Sequence, residues 1–513
     1  MAQGVAHNAS ARGVAHNASA RGVAHNASAQ VVTFALRATS SVILLAVLGH
    51  WYGPSHVGAY TFALQFTTLF IFLAGLGLQN LVVREISRAP DSTRAWIDLA
   101  SGLLLVSSGV TVVLSLVLST LLPHDSIDVV VAVGLAAVGL VGQTLGALLA
   151  GAFYARERMS VETIATLFAE VGFLAAGLAV LSVTGSYLDL IGVYAGSRLV
   201  LPAVLLRSYH RDIGPVRPTV RLDRARPLLR RAVPFFLDDL LTSIYVRADV
   251  TLVQLFRGTR EVGLYTSATL LVLTLNILAR VLNWSLYPRL SRTAGSNPAA
   301  FRATVRTSVR MLALIGFPLA VGPYLLGQQV MSLLWGPRFA AALPCYLLLC
   351  AVVPIRFLGH TTGTALTASD RQSQRTRAVG GAALLNVSLN LWLIPAYGFY
   401  GAGIATVVTE LALTITYSAL LLRAVGPFCK AADLLRPALA CVPMAGVILL
   451  LRDSSSLAVS VLAGAVAYSA AAVLTRAVNI AELRPPPQVL PIRSVAAAPC
   501  RECLTATTRA GAT

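Results

Sequence analysis

The sequence predicts an all-α polytopic membrane protein of about fourteen transmembrane helices, built as two parallel six-helix lobes plus a C-terminal helix pair. Three observations predict this: the composition, the succession of apolar runs and an internal repeat. Hydrophobic residues make up 56% of the 513 and charged residues only 12%, where a soluble domain averages about 25% charged. The formal net charge of +19 would suggest nucleic acid in a soluble protein. Here the arginines sit between apolar runs, so no nucleic acid is expected. The charge reads instead as topology and as contact with anionic membrane lipids.

Taken in order, residues 1–30 form a tail in which "GVAHNASAR" occurs twice and "GVAHNASAQ" once. This nonapeptide repeat lacks the apolar content to bury a core and is expected to be disordered. It has no apolar centre and so is no signal peptide. Its spaced His7, His16 and His25 read as a duplicated start of the first span rather than a metal site. Six apolar segments then fall in 31–210, six in 232–425 and two in 432–477, each near the ~20 residues needed to span. Single spans are expected at 57–80, 308–335 and 343–368. A basic linker at 211–231 separates the lobes, and 478–513 is a second disordered tail, starting near Pro485-Pro486-Pro487. Cys345, Cys350 and Cys441 lie in spans. The CxxC of Cys500 and Cys503 has no second pair, so no metal is expected.

Arginine sets the expected orientation. Loops after even-numbered spans hold about 24 Arg and Lys residues, against four after odd-numbered spans: Arg257, Arg260, Arg338 and Arg452. The positive-inside rule makes the even loops cytoplasmic, and with them both termini.

The repeat is "GPSHVGAYTFA" at 53–63 and "GTREVGLYTSA" at 258–268. Gly53, Val57, Gly58, Tyr60, Thr61 and Ala63 fall on Gly258, Val262, Gly263, Tyr265, Thr266 and Ala268. The same offset carries Leu81 onto Leu286 and Arg84 onto Arg289 without a gap. A repeat of six spans keeps both copies in one orientation. Such parallel repeats are related by an axis along the membrane normal, with a site between them.

The candidate functional residues are charges inside spans. In "PFFLDDLLTSIYVRADVTLVQLF" (234–256), Asp238, Thr242, Tyr245 and Asp249 share one helical stripe, with Asp239, Ser243 and Arg247 in the next row. A charge in mid-membrane costs about 2.5–3.5 kcal/mol on insertion scales, so such a stripe faces a bundle interior or a wet cavity. At the repeat offset Arg37 matches Thr242, so the first lobe opens on a cationic helix and the second on a partly acidic one. Arg280 lies well inside "LLVLTLNILARVLNWSLYP". Arg37 and Arg280 would suit an anionic substrate, because guanidinium pairs bidentately with phosphate; a structural ion pair is the other reading. For Arg198, Arg356 and His360 the structural reading leads. Arg247, Asp249 and Tyr245 complete the substrate-binding candidates, though a network locking helices together would also explain Arg247 and Asp249. Asp238, Asp239, Glu170 and Glu410 are ion-coupling candidates, and Asp249 could serve there too, since buried carboxylates gain proton affinity. "FLAGLGLQN" (72–80) and "GFYGAGIATVVTE" (398–410) read as close helix packing through small residues, or as hinges.

No P-loop, HExxH, GxSxG or strand-borne GxGxxG is present. No cofactor is expected, and any transport must draw on gradients or the membrane potential.

With "GPSHVGAYTFA", "LAGLGLQNLVVREISR", "AVPFFLDDLLTSIYVRADVTLVQLFRGTREVGLYTSA", "LYPRLSR" and "NVSLNLWLIPAYGFYGAGIATVVTE", the chain resembles the polysaccharide repeat-unit flippases of the multidrug/oligosaccharidyl-lipid/polysaccharide exporter superfamily. The likeness spans about residues 26–425. It implies a non-enzymatic transporter of the cytoplasmic membrane working by alternating access. Its substrate would be an undecaprenyl-diphosphate-linked oligosaccharide and its partners polysaccharide-synthesis enzymes. By the same likeness Arg37 and Arg280 would meet the diphosphate. The arginine-dense first two helices of the peptidoglycan-precursor branch are missing, which argues against a cell-wall precursor. The alternatives are a cation-coupled multidrug exporter of the same superfamily, suited by the acidic stripe, and a membrane-embedded polymerase. The polymerase lacks the large extracytoplasmic loop it would need.

Overall fold

The computed structural model describes residues 32–121, 126–154 and 160–477. The nonapeptide repeat and the CxxC of Cys500 and Cys503 lie outside the described residues. The described chain is helical without strands. Its helices are α1 (Val32–Tyr52), α2 (Pro54–Leu69), α3 (Ile71–Gly75), α4 (Leu78–Arg88), α5 (Thr93–Leu121), α6 (Ile127–Tyr154), α7 (Ser160–Val183) and α8 (Tyr187–Asp212). They continue as α9 (Leu222–Arg257), α10 (Thr259–Ala294), α11 (Pro298–Leu325), α12 (Gly327–Trp335), α13 (Leu343–Cys350), α14 (Val352–Ala368), α15 (Gln372–Tyr397), α16 (Phe399–Val425), α17 (Ala431–Leu451) and α18 (Leu457–Leu474).

Among the described residues, 12 helices are long and apolar enough to cross a membrane, or 13 with the bent pair of α2 and α3–α4. At 36 residues, α9 is about 54 Å long, ample for a further span. Its charges keep it out of that count.

Local chemistry sets the ends. Asn297 caps α11 by accepting from the Ala300 N–H at 2.9 Å, and Pro54 and Pro298 open their helices where a missing N–H costs nothing. Gly53 and Gly258, one repeat apart, hold the same backbone conformation (φ 87°, ψ −176° and φ 80°, ψ −179°). This region is open to glycine, and it turns α1 into α2 and α9 into α10 alike.

Two expected spans are interrupted. The one expected at 57–80 bends by 42° at Phe70, whose backbone (φ −91°, ψ 12°) departs from the helical region, and further on Leu76 and Gly77 both take left-handed backbone. A Cβ on Gly77 would stand 2.6 Å from the Phe236 nitrogen, so this stretch serves as both a break and a close contact with α9. The span expected at 308–335 ends at Leu325, and α12 is a separate short helix. The span expected at 343–368 lies within one candidate crossing, Pro337–Ala368, with a local turn at Ala351, where Pro354, lacking an N–H, leaves the Cys350 carbonyl without its helical donor.

Packing divides the helices. α3 to α8 pack chiefly on one another, α9 to α16 likewise, α2 packs most on α10 of the second lobe, and α17–α18 form a pair laid on α11. Arg306 clamps that pair through Asp433 (2.6 and 3.0 Å), and the Tyr468 hydroxyl donates to the Leu314 carbonyl at 2.8 Å. The buried cores show how the lobes meet. At the end bearing Gly53 and Gly258, one continuous core joins both lobes, including Leu48, Val57 and Ile191 of the first with Val262, Trp335 and Ile394 of the second. At the arginine-rich end there are two separate cores. One holds Leu81, Ile97, Leu149 and Tyr209, the other Leu290, Val305, Leu366 and Leu421. The second half of the basic linker expected at 211–231 is helical: Ala225, Leu228 and Ala232 of α9 are buried in the first lobe's core, so one continuous helix ties the lobes together.

Candidate functional site

The acidic stripe of α9 faces inward, into the second lobe. Asp238 accepts from the Thr376 hydroxyl of α15 at 3.1 Å. Tyr245 donates to Glu410 Oε1 of α16 at 2.5 Å. Asp249 is buried, 8% exposed. Its Oδ2 accepts from Tyr265 of α10 (2.9 Å) and Thr406 of α16 (3.2 Å), and its Oδ1 from the Asn390 amide of α15 at 3.1 Å. Asn386 also reaches it. All these donors are neutral. Asn390 Oδ1, beside them, is buried without a partner. Asp239 is half-buried next to Asp238, without an ion-pair partner among the described residues.

The two glutamates are held by arginines. Glu170, 1% exposed, lies between Arg37 of α1 and Arg198 of α8. Arg37 Nε donates to its Oε1 at 2.8 Å, as does Arg198 Nη1, while Arg198 Nη2 reaches Oε2 at 3.3 Å. Arg198 is packed over the Tyr194 ring, 4.8 Å from its centroid. The Arg37 side chain keeps 44% exposure against 12% for Arg198, so Arg37 is the member open to a ligand. In the second lobe Arg356 of α14 donates to Glu410 Oε1 through Nε at 2.8 Å and through Nη2 as well. His360, one turn on, faces Arg356, Glu410, Arg280 and Arg375.

Of the five span arginines singled out above, Arg37, Arg198, Arg247, Arg280 and Arg356, two have no carboxylate. Among the described residues neither Arg247 nor Arg280 has an ion-pair partner. Arg280 lies over the Phe34 ring, 4.0 Å from its centroid. Phe34 is one turn before Arg37, so Arg280 reaches across the lobe boundary to the helix that carries Arg37. Arg247 bonds only Ser243, at 3.4 Å, and its charge faces Tyr194 of α8. Within the spans Arg280 therefore crosses to the first lobe, while Asp238 and Asp249 bond within the second. No group of three metal-ligating side chains occurs among the described residues.

Sequence reasoning passed over Phe34, Tyr194, Thr376, Asn386, Asn390 and Thr406. A polar pair one turn apart in an otherwise apolar run, Asn386 and Asn390 in "NVSLN", was the available signal. The aromatic residues had none, because an aromatic in a span is usually packing.

Comparison with known proteins bears on the family and the fold. A family model described as polysaccharide biosynthesis protein matches residues 19–294. The probable low-salt glycan biosynthesis flippase Agl15 of Haloferax volcanii is 21% identical over 175 residues, which is 34% of this chain and 37% of that protein. The match thus spans little more than a third of that relative. Among solved structures, the lipid II flippase MurJ in an inward closed conformation superposes with a TM-score of 0.75 at 13% identity, over 88% of this chain and 98% of that one. An inward-facing multidrug resistance MATE family transporter of the MOP superfamily gives 0.62 at 14% identity, over 76% and 95%.

Proposed function

We propose, from the premise that this chain belongs to the polysaccharide biosynthesis protein family, that it is a flippase for oligosaccharide carried on a polyprenyl diphosphate. The observation that carries this reading is the pair of arginines without a carboxylate, Arg247 and Arg280, the latter reaching the helix of the other lobe that carries the half-exposed Arg37. Uncompensated cations at this depth cost about 2.5–3.5 kcal/mol each on insertion scales. An anionic ligand between the lobes offsets that cost, and a diphosphate diester carries two negative charges on oxygens that guanidinium binds bidentately. The lipid carrier is undecaprenyl by the family resemblance, and the name of the glycan-biosynthesis relative points to the same substrate class. The separate cores at the arginine-rich end and the fused core at the other support alternating access, with the diphosphate entering from the arginine-rich, cytoplasmic side of the cytoplasmic membrane. Nothing in this cycle makes or breaks a covalent bond, so the protein acts as a transporter rather than an enzyme.

The same geometry bears on coupling. Asp249 sits among neutral donors, with Asn390 Oδ1 unpartnered beside it. A proton or a sodium ion at Asp249 would compensate that charge, whereas Glu170 and Glu410 already have arginine counter-ions. Asp238 and Asp239 are secondary candidates. A cation-coupled drug exporter is the competing reading, but arginines without a carboxylate repel cationic drugs.

The test is export. Arg37→Ala and Arg280→Ala should each abolish surface polysaccharide while membrane abundance is kept. Normal polysaccharide in both variants, or a deletion strain altered only in drug tolerance, would overturn the assignment.

A further inference from the structure

The two copies of the internal repeat lie against each other. A Cβ on Gly58 of α2 would stand 1.8 Å from the Thr259 carbonyl oxygen and 3.0 Å from the Gly263 nitrogen. A Cβ on Gly263 of α10 would stand 1.9 Å from the Pro54 carbonyl oxygen and 3.1 Å from the Gly58 nitrogen. Pro54 and Thr259 are one repeat offset apart, as are Gly58 and Gly263. The contact is therefore reciprocal: each glycine touches the helix start that corresponds to the one its partner touches, as across a two-fold axis. The neighbours are backbone, which cannot swing aside, so the contact admits glycine alone. Where helices meet in a membrane, such small residues let backbones approach closely.

The place of the contact matters. It lies in the one core that joins the lobes, at the end where α1 turns into α2 and α9 into α10. At the same end Arg338 Nη1 donates to the Trp51 carbonyl at 3.3 Å, and Gly49 sits under the Trp335 and Phe339 rings. At the opposite, arginine-rich end each lobe has its own core.

We propose that Gly58 and Gly263 form a latch that closes this end of the molecule, and that they part each time the site opens to that face. The reading rests on the alternating-access part of the proposed function. It also explains why the repeat is legible at this spot: the two copies must fit each other. An α-carbon contact of this kind is all-or-none. A single methyl group holds the helices apart without disturbing either lobe, since alanine suits a helix interior better than glycine does.

The test uses the full-length protein in membranes, with Gly58→Ala, Gly263→Ala and the bulkier Gly58→Leu. Gly172→Ala on α7 is the control, because its Cβ would meet nothing within 4 Å. A cysteine placed at Thr61, which is 7% exposed and one turn beyond Gly58, is labelled with a membrane-impermeant maleimide from the latch side, each variant in a background lacking the native cysteines. The expected result is labelling several-fold faster in all three latch variants than with Gly58 and Gly263 intact, a severe loss of export, and unchanged abundance and melting temperature. Gly172→Ala should change none of these. Unchanged labelling overturns the latch: with a fall in melting temperature it makes the contact static packing, and with no fall it makes the contact dispensable. The labelling does not depend on what is carried, so a wrong substrate class would leave it intact while normal polysaccharide in the arginine variants exposed that error.

Discussion

Glu170 and Asp249 are both buried carboxylates in the middle of spans, one in each lobe, and they are neutralised in opposite ways. Glu170 has two guanidinium groups within 2.8 Å; Asp249 has a tyrosine, a threonine and asparagine amides. On the coupling proposed above, the difference would separate a structural charge from an exchangeable one. A carboxylate locked between arginines is part of a frame, because removing it strands two cations in low dielectric. A carboxylate surrounded only by neutral donors can exchange a proton or an ion without breaking the frame. The lobe with the framed charge carries Arg37, and the lobe with the exchangeable one carries Arg247 and Arg280.

That contrast can be broken at several points. The largest effect is expected from Glu170→Ala, which leaves Arg37 and Arg198 facing each other. Loss of one partner in a buried pair costs about 3–5 kcal/mol, and most of it here falls on the more buried Arg198. Detergent thermal unfolding should show a large drop that Arg198→Met in the same chain partly restores; an unchanged transition would remove Glu170 from the frame. Next is Tyr245→Phe, which deletes one hydrogen bond to the ionised Glu410 and should cost about 1.5–3 kcal/mol. Arg356→Ala in that background should then add less than it does alone, and strictly additive losses would break the network apart. Phe34→Leu removes the ring beneath Arg280, worth about 0.5–1 kcal/mol. It should leave abundance unchanged and alter apparent affinity for the lipid-linked substrate, a role that equal affinities would exclude. The smallest effect on stability belongs to Asp249→Asn, which keeps its neutral neighbours and should shift unfolding by under about 1 kcal/mol. Its signature is functional: transport in proteoliposomes should stop responding to an imposed proton or sodium gradient. A response equal to that of the unaltered protein would move coupling to Asp238 or Asp239.

Much of this was legible in the chain. The run from 234 to 256 placed Asp238, Tyr245 and Asp249 on one stripe, and the structure turns that stripe toward α10, α15 and α16. The repeat at 53–63 and 258–268 marked two equivalent helix starts. What could not be read was which charges pair. Arg37 and Arg280 looked alike in their apolar surroundings, yet one reaches a carboxylate 133 residues away and the other an aromatic ring. The breaks at Phe70 and Leu76–Gly77 were also hidden, because an apolar run reads the same whether its helix is continuous or bent.

By itself the sequence determined a helical membrane protein in two copies of one plan, since apolar length and period act locally and every backbone group in lipid must be satisfied within its own helix. Only the tertiary structure decided at which end the two lobes share a core, which arginines are left without an acid, and that the two repeat motifs touch. Those are matters of contacts between helices distant in the chain, set by packing geometry that no local pattern encodes.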